Sequence, residues 1–190
     1  MKLYDISCEL FSTPVYPGDP CPKSEQVLRM EMGDLCNLTA FYTGSHSATH
    51  VDAPLHFVEG ARSIDQMPLE LFMGPCRVVT AHGILTGSDI DLIQPQNGER
   101  ILFHGGAFLS QSAAFALGEA GVILLGTDQQ SIGPAGDERA PHVELLSREI
   151  VLLEGLNLDD VPDGAYTLFA LPLKVCGLEA SPVRAVLLGE

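Results

Sequence analysis

Two short aliphatic runs, at residues 121–128 (GVILLGTD) and 150–156 (IVLLEGL), most constrain how this chain can fold. Each is too short for an ordinary helix and too continuously apolar for a strand with one face in water, so both predict buried strands. Between them, residues 140–149 (APHVELLSRE) predict a helix, because Pro141 fits a first helical turn without cost. The order strand, helix, strand is typical of α/β folds.

The rest of the chain is divided into short elements by 19 glycines and 13 prolines. Residues 27–33 and 36–43 predict a hairpin, and residues 109–121, rich in alanine and leucine, predict a helix. Residues 166–175 predict a further strand. Since no linker separates these elements, the sequence predicts a single α/β domain over residues 1–190, with a mixed sheet, few helices and many loops.

The composition argues against several classes of partner. The formal net charge is −15, from 10 basic and 25 acidic residues, and such a surface repels nucleic acid and anionic lipid. No apolar run approaches the ~18 residues of a membrane span. The five cysteines are far apart and form no CxxC motif, which favours reduced thiols and a cytoplasmic protein. We therefore expect a small molecule as the partner, and neither nucleic acid nor membrane.

The segment 46–56 (HSATHVDAPLH) holds three of the six histidines together with an aspartate. Imidazole and carboxylate groups together suit Zn²⁺, Mn²⁺ or Fe²⁺. In an extended chain, His46, His50, Asp52 and His56 point to one side, whereas a helix would rotate Asp52 away from the histidines. A straight strand would separate His46 from His50 by ~13 Å, so the sequence predicts a bend at residues 47–49. The alternative is a polar loop with exposed histidines.

Other polar residues are candidate partners of this cluster. Glu154 ends a buried apolar run, where a carboxylate needs a cation or hydrogen-bond donors, unless the strand end reaches solvent. His142 stands at a helix start, as a ligand or as a surface residue. Asp128 follows a strand, as a turn or helix-cap residue or as a site residue. His82 and His104 are expected to be structural, with His104 the better candidate for a pocket wall.

Several blocks of the sequence resemble one family. HSATHVDAPLHF at 46–57 is similar to the HxGTHxDxPxHF signature of the cyclase family, which includes bacterial kynurenine formamidases and isatin hydrolases. YPGDP at 16–20 resembles the WPGDP turn of that family, and GTDQQS at 126–131 and the chain from 171 to 188 resemble later blocks. The resemblance implies a barrel-like mixed sheet of the swivelling β/β/α type, metal-dependent hydrolysis, and a homodimer or higher homo-oligomer.

The resemblance also implies roles for individual residues at a site with two metal ions. Zn²⁺ is expected, with Mn²⁺ as the alternative. The implied ligands are His46, His50 and Asp52 for the first ion, and Asp52, as a bridge, with His142 and Glu154 for the second. His56 would act as the acid/base, and Tyr16 would contact the substrate.

The chain departs from the family pattern at two positions. Ala48 replaces a glycine, so the expected bend must be one that alanine can adopt. Tyr16 replaces the tryptophan that stacks on the substrate in the formamidases. From the resemblance as a whole, the first candidate function is an arylformamidase that acts on N-formylkynurenine. The alternatives are an isatin-type amide hydrolase, a metal-dependent lyase or dehydratase, and a metal-bound ligand-binding protein without turnover.

Overall fold

A nine-stranded mixed sheet and two small two-stranded sheets form the frame of the computed structural model, which describes residues 1–189. The strands in chain order are β1 (Lys2–Asp5), β2 (Lys23–Leu28), β3 (Leu38–Tyr42), β4 (His50–Asp52), β5 (Met73–Thr80), β6 (Gly83–Leu85), β7 (Arg100–His104), β8 (Ala107–Leu109), β9 (Leu124–Thr127), β10 (Val151–Glu154), β11 (Gly164–Phe169), β12 (Ala180–Pro182) and β13 (Val186–Gly189). The small sheets are β2-β3 and β6-β8.

The large sheet has the order β1-β13-β11-β5-β7-β9-β10-β4-β12. Its middle strands β5, β7, β9 and β10 run parallel, and the remaining neighbours are antiparallel. Ser7, just after β1, forms an antiparallel bridge with Leu156, just after β10, which shows that the sheet curls. The fold is therefore α/β with a mixed, barrel-like sheet, as the sequence predicted.

Two hydrophobic cores lie on the two faces of this sheet. Along β10, Val151 and Leu153 pack into one core while Leu152 packs into the other, since successive side chains of a strand point to opposite faces. Three helices cover the second core: α1 (Gly87–Ile93), α2 (Gln111–Glu119) and α3 (Arg139–Leu146). Among residues 1–189, no helix has the length and apolar character to cross a bilayer.

Some predicted boundaries were wrong. The strand predicted over 166–175 ends at Phe169, and Pro172 beyond it has no N–H for a ladder. The hairpin begins at Lys23, and residues 30–32 form a 3-10 turn. The helix predicted over 109–121 begins only at Gln111, because the Ser110 side chain caps it. Helix α1 and strands β6 and β12 were not predicted at all.

The register of β4 positions the histidine–aspartate segment. This short strand lies between β10 and β12, and His50 is directly opposite Glu154. Residues that face each other across neighbouring strands have side chains on the same face. The sheet therefore brings the end of a buried parallel strand, with its carboxylate, alongside the predicted metal-binding segment.

Candidate metal centre

The bend predicted between His46 and His50 is present. Ala48 has a φ of 53°, in the left-handed region, and the turn brings the two imidazole rings to a centroid distance of 5.0 Å. The carbonyl oxygen of Ala48 lies 2.9 Å from His50 Nδ1. The strand then continues to Asp52, and the 3-10 turn Pro54–His56 brings the His56 ring to a centroid distance of 4.1 Å from the His46 ring.

Asp52 lies at the centre of the cluster and is fully buried. Its Oδ1 is 3.0 Å from His46 Nδ1 and 3.6 Å from His50 Nε2. Neither contact is a hydrogen bond, and both carboxylate oxygens are without a hydrogen-bond partner among the described residues. A buried carboxylate in this state is costly unless a cation or donors satisfy it.

Glu154 closes the cluster from the end of β10 and is also buried. Its Oε1 accepts a hydrogen bond of 2.8 Å from the backbone N–H of Ile132 and lies 3.2 Å from His142 Nε2. Its Oε2 lies 3.4 Å from His50 Nε2. The sequence-based expectation that this carboxylate has donors or a cation beside it is confirmed.

Backbone carbonyls fix the orientation of two imidazoles. His142, on α3, has its Nδ1 2.6 Å from the carbonyl oxygen of Glu138, and His50 has its Nδ1 close to Ala48 in the same way. When each Nδ1–H donates to its carbonyl, each Nε2 keeps a free lone pair turned towards Glu154. This is the arrangement of metal-binding histidines whose second nitrogen is held by a backbone carbonyl.

Two overlapping groups of residues have the spacing of metal ligands. One consists of His46, Asp52 and His56, and the other of His50, Asp52 and Glu154, with one ligand atom from each residue within 4.8 Å of the others. Asp52 is common to both groups. His46 Nε2, His50 Nε2 and both Asp52 oxygens have no hydrogen-bond partner among residues 1–189. Nitrogen and carboxylate donors left free in a buried cluster fit a metal cofactor.

The protonation of the metal-free cluster also reflects these contacts. Burial disfavours a charged His50, but the neighbouring carboxylates Glu154 and Asp52 outweigh it and raise its pKa to about 9. Burial likewise opposes ionisation of Asp52, yet contacts with His46 and His50 hold its pKa below the usual range. For His56, burial lowers the pKa. Protonated imidazoles therefore balance the carboxylates that a metal ion would otherwise neutralise.

The cluster opens into a cavity of about 190 Å³. Phe57 packs on the His142 ring at a centroid distance of 4.6 Å and forms an apolar wall. Tyr16 lies at the mouth, and its hydroxyl donates a hydrogen bond of 2.9 Å to Glu138 Oε1. The main lining residues are Tyr16, His56, Phe57, Gln130, Glu138 and His142.

The structure brings together all the residues predicted for the site and shows others that sequence reasoning missed. The five predicted ligands and His56 converge, and Tyr16 faces the same cavity. Glu179 was not predicted, and its Oε1 lies 3.3 Å from His46 Nε2. Glu138 was also missed. Its side chain lies at the mouth of the cavity, and its carbonyl oxygen contacts His142. Neither glutamate has a sequence signal beyond its position in a block near a predicted ligand.

Comparisons with known proteins identify relatives of this chain. The model of the family named Cyclase matches residues 4–134. The chain is 38% identical to a kynurenine formamidase from Salinibacter ruber, and the match covers 98% of this chain and 97% of that protein. It is 34% identical to a kynurenine formamidase from Polaromonas naphthalenivorans, with 98% and 91% covered.

Solved structures show the same fold. A potential metal-dependent hydrolase with cyclase activity superimposes with a TM-score of 0.85 at 30% identity, covering 98% of this chain and 96% of that one. Isatin hydrolase A from Labrenzia aggregata superimposes with a TM-score of 0.85 at 21% identity, covering 100% and 94%. At that identity the second likeness concerns the fold alone.

Proposed function

This chain belongs to the cyclase family, and we propose that it is a metal-dependent hydrolase of amide C–N bonds, with an aryl formamide such as N-formylkynurenine as its first candidate substrate. The observation that carries the proposal is Asp52, a buried carboxylate whose two oxygens have no hydrogen-bond partner in the described part of the chain, among imidazoles that line a cavity. Full-length likeness to kynurenine formamidases supports the choice of substrate.

In the proposed ligand set, His46, His50 and Asp52 would hold one ion, and Asp52, His142 and Glu154 would hold a second. Asp52 belongs to both ligand-spaced groups, which supports its place in both sets, although those groups pair His56 with His46 and His50 with Glu154. Three imidazoles with two carboxylates suit Zn²⁺, and the carboxylate-rich part also admits Mn²⁺. Elemental analysis of the purified protein tests both identity and number.

The reaction adds water across the formyl C–N bond and releases formate and an aryl amine. The bound metal supplies Lewis acidity that activates water and polarises the carbonyl. His56 lines the cavity, and burial lowers its pKa, so the imidazole is neutral near pH 7. A neutral His56 can accept a proton from the attacking water and return it to the leaving amine nitrogen.

The cavity also suits a small aromatic substrate. Its volume of about 190 Å³ is below the ~300–1,000 Å³ of pockets that hold drug-sized ligands. The rings of Tyr16 and Phe57 line it, and aromatic walls favour stacking on an aryl group. We propose that Tyr16 contacts the aryl ring at the mouth while the formyl group reaches the histidine–aspartate cluster.

Formate release from formanilide and N-formylkynurenine, measured with added Zn²⁺ or Mn²⁺, tests the proposal. We expect turnover that depends on the metal, and His50→Ala should remove both metal and activity. A His56→Ala variant should retain the metal content of the wild type while kcat falls by about 100-fold or more. Loss of one metal equivalent in His56→Ala would instead make His56 a ligand, consistent with its place beside His46 and Asp52.

A cyclic amide is the second candidate substrate. Attack of water on a lactam carbonyl requires the same chemistry but releases no formate, and the fold shared with isatin hydrolase A supports including it. Ring opening of isatin, followed by absorbance, therefore belongs in the same assay panel. Turnover of isatin without formate release from any formamide would favour this second candidate.

Self-association is a further part of the proposal. Leu35 in the β2-β3 hairpin is 100% exposed, and Met32 beside it is 77% exposed. An isolated two-stranded hairpin is marginally stable in water, which supports a homodimer or higher homo-oligomer in which a second copy covers it. Light scattering after size-exclusion chromatography measures the assembly directly. We also expect the protein to be cytoplasmic.

A further inference from the structure

The mouth of the cavity holds a carboxylate that the proposed reaction does not use. Glu138 lines the cavity, and its Oε1 accepts hydrogen bonds of 2.9 Å from the Tyr16 hydroxyl and from the backbone N–H of Gly136. Its Oε2 accepts no hydrogen bond from another residue among 1–189. One oxygen of the carboxylate is therefore restrained, and the other is available to a molecule in the cavity.

The charges around the cavity are arranged with opposite signs at its two ends. The inner end is the candidate metal centre, where cations are expected. The mouth carries Glu138 and Asp19, and no lysine or arginine of the described chain lines the cavity. A carboxylate substituent at the mouth would meet no cation, whereas an ammonium group would meet Glu138. Hydrogen bonds between charged partners are stronger than neutral ones.

We propose that Glu138 is a specificity-determining residue, which binds an ammonium group on the substrate, and that the Tyr16 hydroxyl restrains it. The substrate is then an aryl formamide with an ammonium group beyond its ring, a requirement that N-formylkynurenine meets. This inference rests on the proposed function, since the formyl group of the same molecule must reach the metal centre. It assigns Glu138 a role that is separate from the chemistry at the formyl carbon.

Tyr16 and Glu138 should have opposite effects on selectivity. The Tyr16 hydroxyl donates to Oε1 and so draws negative charge away from the carboxylate that a substrate ammonium would bind. Tyr16→Phe keeps the aromatic ring and removes only this donor, so the carboxylate becomes more available. Glu138→Gln keeps an oxygen acceptor for Tyr16 and Gly136 but removes the charge. If Tyr16 and Glu138 had only a structural role, both variants would shift the preference for the cationic substrate in the same direction, or neither would shift it.

The experiment compares three formanilides that carry an aminomethyl, an ethyl or a carboxymethyl group at one ring position. For the metal-loaded wild type we expect kcat/KM for the cationic substrate to exceed that for the neutral one by about 10-fold, from a hydrogen bond to a charged group. The anionic substrate should be the poorest. Glu138→Gln should bring the ratio of cationic to neutral close to one, mainly through KM, and Tyr16→Phe should raise the ratio.

Asp137→Asn is the matched control. Asp137 is exposed and adjacent in sequence, yet it does not line the cavity. The variant therefore changes the net charge by the same amount as Glu138→Gln, and its ratio should equal that of the wild type. An equal loss of selectivity in Asp137→Asn would assign the effect to overall charge and overturn the role of Glu138, as would a wild type without preference for the cationic substrate.

Binding measurements separate this inference from the proposed function. The N-ethylaniline counterparts of the three compounds have no amide bond to hydrolyse, and when titrated calorimetrically into the zinc-loaded protein they should show the same order of affinity. Preference for the ammonium compound without hydrolysis of any formamide would contradict only the proposed function. Hydrolysis of formanilides with equal affinity for all three counterparts would contradict only the role of Glu138.

Discussion

Two histidine–aspartate pairs lie in neighbouring parts of the same sheet, and only one of them is arranged for a metal ion. His50 and Asp52 belong to β4, while His104 ends β7 and Asp128 directly follows β9. In both pairs an imidazole nitrogen lies close to a carboxylate oxygen, at 3.6 Å in the first and 3.3 Å in the second. Residue types and distances alone do not distinguish them.

The difference lies in how each carboxylate is satisfied. Both oxygens of Asp128 accept hydrogen bonds, from the backbone N–H groups of Gly105 and Gly106 and from the Gln129 side chain. Asp52 accepts none from the described residues, although it is more deeply buried. Backbone donors make Asp128 a loop-fixing residue, whereas the free lone pairs of Asp52 leave room for a cation. A carboxylate without hydrogen-bond donors therefore distinguishes the candidate metal site better than a nearby histidine does.

The largest expected effect comes from exchanging the two aspartates for asparagine. Asp52→Asn removes the charge at the centre of the cluster, and we expect it to lose bound metal and to lower kcat/KM by at least about 100-fold. Asp128→Asn keeps one acceptor oxygen for the loop and should retain full metal content. Its free energy of unfolding should fall by about 1 kcal/mol, because one donor of a partly buried loop loses its acceptor. Metal analysis, formamide turnover and chemical denaturation measure these effects.

Either variant can contradict the distinction drawn between the two aspartates. Full metal content in Asp52→Asn would remove Asp52 from the ligand set. Metal loss in Asp128→Asn with an unchanged fold would extend the site across β9. Asp163→Asn is a further control, because among residues 1–189 this carboxylate bonds only the backbone and hydroxyl of Thr80, and it should affect neither metal content nor turnover.

A smaller effect concerns the stability of the metal-free protein between pH 6.5 and 9. Burial opposes the charged form of His50, but Glu154 and Asp52 raise its pKa to about 9 in the folded chain, from 6.5. A raised folded-state pKa stabilises the fold fully below pH 6.5, and this contribution is lost as the pH rises through 9. We expect the free energy of unfolding to fall by a few kcal/mol over this range, as measured by urea denaturation.

Metal and mutation should change that pH dependence in predictable ways. Metal binding requires neutral imidazoles, so its stabilising effect grows as the pH rises, and the difference between loaded and metal-free protein should be larger at pH 9 than at pH 6.5. Asp52→Asn removes one of the carboxylates that raise the His50 pKa and should flatten the slope. Asp128→Asn should keep the wild-type slope, and a slope altered equally in both variants would contradict the distinction between the two pairs.

The sequence predicted the parts of this molecule that depend on local pattern. Continuous apolar runs identified β9 and β10, and the shared parity of residues 46, 50 and 52, with the distance argument, predicted the bend. Contacts made only by the folded chain could not be predicted in this way. Glu138 and Glu179 meet Tyr16 and His46 through the tertiary fold, and their own neighbours in sequence carry no periodicity that points to a cavity.

Ala48 was the departure from the family pattern that the fold had to accommodate, and it leads to the smallest predicted effect. Its φ of 53° costs a residue with a Cβ roughly 1–2 kcal/mol, while glycine loses about 0.5–1 kcal/mol more backbone entropy on folding. Ala48→Gly should therefore stabilise the protein by about 0.5–1 kcal/mol in urea denaturation. Ala116→Gly in helix α2 is the matched control, and it should destabilise by about 1 kcal/mol. Destabilisation by both substitutions would show that the turn between His46 and His50 carries no such strain and that its shape is set by the surrounding contacts alone.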